Sequence, residues 1–125
     1  MLKKQIFLIS IIYTLVLAGV CLINLNKLPD VGVSFADKIF HIGSYLTLCI
    51  LWFYSFLYKF KFEKNSALIY ASVFAFFFGI IIEVLQGVLT ESRASDFYDV
   101  VANSLGILVG VIFILIIQRR SIKKL

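Results

Sequence analysis

Between Glu83 and Gly110 the chain sets Glu83, Gln86, Glu91, Arg93, Asp96, Asp99 and Asn103 amid two long apolar runs. Carboxylates in such a setting can pass a proton, pair with a cation or ligate a metal, and an arginine can grip a phosphate or carboxylate through two parallel hydrogen bonds. The sole histidine, His41, adds an imidazole that can accept a proton, touch a head group, or hold two helices together by hydrogen bonding. Glu83, Asp96 and Asp99 with His41 would make an oxygen-rich cation site, but no ligand motif such as HExxH accompanies them, and no metal or cofactor is assigned. The absence of GxSxG and of a second histidine argues against a serine protease or esterase. Cys21 and Cys49 lie inside apolar runs without CxxC spacing, so they read as lipid-facing or packing residues rather than disulfide or zinc partners.

These groups act together only if helices bring them to one place. Asp37, His41, Ser44 and Tyr45 follow i, i+4, i+7, i+8 spacing, which is one helical face. Glu83 and Gln86 are i, i+3, and Gly79 and Gly87 lie four residues either side of Glu83, where small residues permit close helix approach. Asp96, Asp99, Asn103, Gly106 and Gly110 advance by three or four residues and form a third stripe. The Gly106-Gly110 pair, preceded by Ala102, predicts packing within the monomer. An ionisable group in lipid costs about 2.5–3.5 kcal/mol on insertion scales, so Glu83 needs a partner. Arg93 and His41 are the nearest in depth. For Arg93 itself, a salt bridge to Glu91 or Asp96 competes with a role in gripping an anion.

The composition says what surrounds these stripes. Of 125 residues 62% are hydrophobic and 15% charged, with a mean hydropathy of +1.02, which excludes an ordinary soluble domain. The expected fold is all-α, an integral membrane four-helix bundle forming one domain, with spans at about 5–25, 39–58, 66–90 and 97–117. Runs of about 20 residues cross a hydrocarbon core of about 30 Å. A signal peptide cleaved after Ala18 competes for the first run, but the apolar stretch continues through Ile23. Pro29 and Gly32 mark the first loop, Ser34 and Asp37 a capping box, and Ser95 an N-cap for the fourth helix. The aromatic residues are expected mostly at lipid contacts and interfaces.

The net charge of +5 is not gathered into one patch, so no nucleic-acid partner is expected. Lys3, Lys4, Lys59, Lys61, Lys64, Arg119, Arg120, Lys123 and Lys124 fall on one side of the predicted topology, against Lys27, Lys38 and Arg93 on the other. The positive-inside rule then predicts N-in/C-in, with the polar stripes converging near the outer face.

Written out, the pattern is Asp37-Lys38-x-x-His41-x-x-x-Tyr45, Glu83-x-x-Gln86, and Arg93-x-x-Asp96-x-x-Asp99-x-x-x-Asn103-x-x-Gly106-x-x-x-Gly110. It resembles the VanZ-like family of small bacterial membrane proteins, and Leu28-Pro29 is similar to the family's Pro-containing loop. The resemblance covers helices two to four, while helix one matches only as an apolar span. It departs at Glu91-Ser92, where many members carry Pro-Gly. The resemblance implies a four-helix protein of the bacterial cytoplasmic membrane and, through the family's namesake, a link to teicoplanin resistance.

The candidate pocket is Asp37, His41, Tyr45, Glu83, Gln86, Arg93, Asp96, Asp99 and Asn103. Facing the outer leaflet, it would bind a lipid-linked glycan precursor or a lipid head group. A small membrane enzyme is the alternative, in which His41 or Glu83 moves a proton and Arg93 stabilises charge on a lipid phosphate or acyl group. A third reading makes the polar stripe helix glue in an assembly partner. No residue is assigned as catalytic, and the oligomeric state is not legible in the sequence.

Overall fold

A backbone inside a bilayer finds no water to bond, so an apolar run satisfies its amides by coiling. The computed structural model describes residues 2–22, 34–89 and 97–123, with side chains for 5–22, 38–88 and 97–119. It comprises α1 (Leu2–Leu22), α2 (Ser34–Tyr58), α3 (Lys64–Leu89) and α4 (Phe97–Lys123), with no strand among the described residues. Each helix is long and apolar enough to cross a membrane, over Gln5–Leu22, Lys38–Tyr58, Lys64–Val88 and Phe97–Arg119. The chain is therefore a multi-pass membrane protein in a lipid bilayer. Residues 23–25 and 90, at the ends of the first and third expected spans, lie outside the described residues.

The α2–α3 connection is tight. The carbonyl of Ser55 accepts from the amides of Lys59 and Phe60, and that of Phe56 accepts from Phe62 at 3.0 Å. Lys61 takes the left-handed conformation, at φ 59°, to reverse the chain.

Successive helices run antiparallel, and α2 is the centre of the bundle. It packs against the other three, whereas α1 and α4 do not touch among the described residues. The fully buried residues of α2 include His41, Tyr45, Leu48, Cys49, Phe53 and Ser55. Against them α3 presents Ala67, Ala71, Ala75 and Gly79, one small residue per turn and all buried. Small side chains let helix backbones approach closely where lipid supplies no hydrophobic drive to associate. Cys21 and Cys49 are both buried, which settles them as packing residues.

Gly87 is exposed, whereas Gly79 is buried against Tyr45 and Asn103. The aromatic residues also do more than face lipid. Trp52 stands 4.7 Å from Phe74 and 5.9 Å from Phe7 between ring centroids, and its indole Nε1 donates to Thr14 Oγ1 at 2.9 Å. Packing three helices around α2 leaves wide gaps, which rings from α1, α2 and α3 fill.

Candidate functional site

The site is assembled where α2 and α4 approach most closely. A Cβ added to Gly106 would lie 2.2 Å from the carbonyl oxygen of Ile42, so only glycine allows this backbone-to-backbone contact. At Gly110 the contact continues more loosely, with the Leu46 carbonyl oxygen and side chain each 3.3 Å from such a Cβ. The residues just before Ile42 and Gly106 are thereby pressed together. His41 Nδ1 and Asn103 Oδ1 are 3.0 Å apart, a hydrogen bond in which the imidazole N–H donates.

One helical turn before these two residues come Lys38 and Asp99, which form an ion pair through Lys38 Nζ and Asp99 Oδ1. The second carboxylate oxygen of Asp99 faces His41 Nε2 at 3.6 Å. A chain of polar contacts thus runs Lys38, Asp99, His41, Asn103 across the α2–α4 interface. Its last three members are almost completely buried, whereas Lys38 is 24% exposed and forms its edge toward the membrane surface.

On the far side of His41, the ring of Tyr45 stacks at 6.4 Å and is itself fully buried. Gly79 of α3 makes room for both neighbours: a Cβ there would meet Asn103 Nδ2 at 2.9 Å and Tyr45 Cε2 at 3.1 Å. Farther along α3, Glu83 and Gln86 are buried, and Gln86 Nε2 donates to the carbonyl oxygen of Cys21 at 2.8 Å, tying α3 to the end of α1.

The structure thus gathers His41, Tyr45, Glu83, Gln86, Asp99 and Asn103 at one end of the bundle. Arg93 and Asp96 lie outside the described residues, as does the side chain of Asp37. Ser44, expected on the same face, is half-buried, and its carbonyl accepts from Tyr13 Oη at 2.8 Å. Among the described residues no three His, Cys, Asp or Glu side chains converge to hold a metal.

Sequence reasoning left Lys38 out of the candidate pocket, although it stood in the pattern that carried the resemblance and among the outer-face cations. Its place one turn from His41 was the available signal.

In chemical terms the arrangement sets an ammonium, a carboxylate, an imidazole and an amide side by side. With Nδ1–H committed to Asn103, the second imidazole nitrogen is aimed at a carboxylate. The ammonium of Lys38 offsets the negative charge of Asp99, whose second oxygen faces the ring at 3.6 Å.

A second polar region went unread. Ser10 on α1 and Ser55 on α2 are both fully buried, with their hydroxyl oxygens 2.6 Å apart. Ser10 also donates to the backbone, its oxygen lying 2.8 Å from Ile6 O and 3.1 Å from Leu51 O. Together with the Trp52–Thr14 bond, these contacts make a seam between α1 and α2 toward the other end of the bundle.

The model of the VanZ/LLP1 family matches residues 5–118. The chain belongs to that family. No curated protein and no solved structure matches it. The match of this VanZ/LLP1 chain takes in α1 as well as α2 to α4, and so extends beyond the motif-bearing helices. Of the residues that carried the resemblance, His41, Tyr45, Glu83, Gln86, Asp99 and Asn103 are buried, and Lys38 is partly exposed.

Proposed function

We propose that this VanZ-like protein resides in the bacterial cytoplasmic membrane with both termini inside, and that its polar cluster binds a phosphate-bearing head group at the outer face. A lipid-linked glycan precursor is the ligand class that fits an effect on glycopeptide (teicoplanin) susceptibility. The observation that carries the reading is the Lys38–Asp99–His41–Asn103 chain, with Glu83 buried on the neighbouring helix. Ionisable groups inside a membrane bundle are costly and mark ligand or ion paths more often than they serve as filler. Lys38 at the edge of the cluster supplies a cation for a phosphate, and Arg93, which lies outside the described residues, is proposed as a second. The orientation rests on the nine Lys and Arg residues assigned to the opposite end of the bundle.

The test is an envelope phenotype, read as glycopeptide susceptibility in cells carrying His41→Ala, Glu83→Ala or Arg93→Ala, with membrane insertion checked for each variant. Loss of the phenotype with normal insertion is expected. An unchanged phenotype in all three overturns the proposal.

The direct His41–Asn103 hydrogen bond favours a second reading, in which the cluster is glue between α2 and α4. Asn103→Leu separates the two. Its thermal unfolding temperature in detergent falls steeply if the bond is glue and changes little if the residue lines a ligand site.

A further inference from the structure

At the opposite end of the bundle from His41, the first turns of α3 and the last turns of α4 stand apart around a cavity of about 390 Å³. Leu68 of α3 and Leu115 of α4 form apolar walls, with Phe53 of α2 behind them, while Lys64, Gln118 and Arg119 line its polar rim. Lys64 opens one apolar span and Arg119 closes another, so both cations stand at the depth where hydrocarbon gives way to head groups. Among the described residues neither cation takes part in an ion pair. The first turn of α3 carries no acid, so its unpaired backbone amides add to the positive potential at the rim.

We propose that this cavity holds one anionic glycerophospholipid, with its phosphate between Lys64 and Arg119 and an acyl chain laid against Leu68 and Leu115. The division of the lining selects this occupant. A two-cation rim over greasy walls matches an anionic head on a hydrocarbon tail, and a cavity of about 390 Å³ takes the phosphate and the first part of one chain, the rest of the lipid lying in the bilayer. Nearby Lys59 and Lys61 and the basic end of α4 raise the local concentration of anionic lipid, but they do not line the cavity. Glu63, which is exposed, is the one acid at this end, and it too lies outside the lining.

The proposal is tested by native mass spectrometry of the full chain released from nanodiscs of phosphatidylglycerol and phosphatidylcholine in equal parts. One phosphatidylglycerol per chain is expected to be retained in preference to phosphatidylcholine. Retention falls by about fivefold for each cation removed in Lys64→Gln and Arg119→Gln. Leu68→Trp, which fills the cavity without changing charge, abolishes retention, whereas the paired Lys59→Gln and Lys61→Gln variant keeps it. Equal retention of both lipids overturns the proposal, as does undiminished binding by Leu68→Trp or an equal loss from the Lys59 and Lys61 pair. Leu68→Trp carries the test if a charge variant fails to fold. His41→Ala should retain the lipid as the wild type does, so the outcome here is independent of the fate of the His41 site.

Discussion

Two polar regions lie toward opposite ends of α2, and they are built from different chemistry. The α1–α2 seam uses hydroxyls and one indole, and Ser10, Ser55, Thr14 and Trp52 all find partners in a neighbouring hydroxyl or a backbone carbonyl. The α2–α4 cluster uses an ammonium, a carboxylate, an imidazole and an amide. Neutral hydroxyls in a bundle satisfy themselves cheaply, and their removal costs little. Ionisable groups must each be matched, and removing one strands the others. The first region is a fastening, and the second is an arrangement that would be expensive to keep if fastening were its only role.

Asp99→Ala breaks this contrast most severely. It takes the carboxylate from both Lys38 and His41, and breaking a buried charged pair costs about 3–5 kcal/mol. The expected result is loss of most folded protein in detergent, and a variant as stable as wild type would show that the pair contributes nothing.

Gly106→Ala should rank next. The added methyl meets the Ile42 backbone, and forced overpacking costs about 1–3 kcal/mol, seen as a lowered unfolding temperature. The same change at exposed Gly87 should be nearly silent in the monomer.

In the seam, Ser10→Ala or Ser55→Ala should cost about 0.6 kcal/mol, the mean for interhelical bonds in a membrane protein. The double variant should cost less than the sum of the two, because each hydroxyl is the other's partner. Trp52→Phe should have the smallest effect. It keeps a ring against Phe74 while losing only the bond to Thr14, so a shift as large as that of Asp99→Ala would erase the distinction between the regions.

The difference between the regions also explains what the sequence made visible. Charges cannot be hidden in an apolar run, so Glu83, Asp99 and His41 announced themselves, and their helical spacing placed them with Gln86 and Asn103. The spans were legible because Lys59, Lys64 and Arg119 bracket them with charge. Ser10, Ser55 and Thr14 carry no charge and occur throughout membrane helices, so nothing marked them as partners. Periodicity gives the face of one helix but not which helix it meets. The central place of α2, and the unequal roles of Gly106 and Gly87, therefore came only with the packing.

The meeting of Gly106 with the Ile42 carbonyl bears on how the molecule can move. Without a side chain between them, α2 and α4 form one stiff plate, and His41 and Asn103 are fixed to it within one helical turn of that contact. Under the proposed function, the cluster opens to its ligand from the other side. There α3 beyond Gly79 carries Glu83 and Gln86, and the Gln86–Cys21 bond carries the end of α1 with it. Under the proposed function, the α2–α4 contact would hold the recognition chemistry still while α3 gives way.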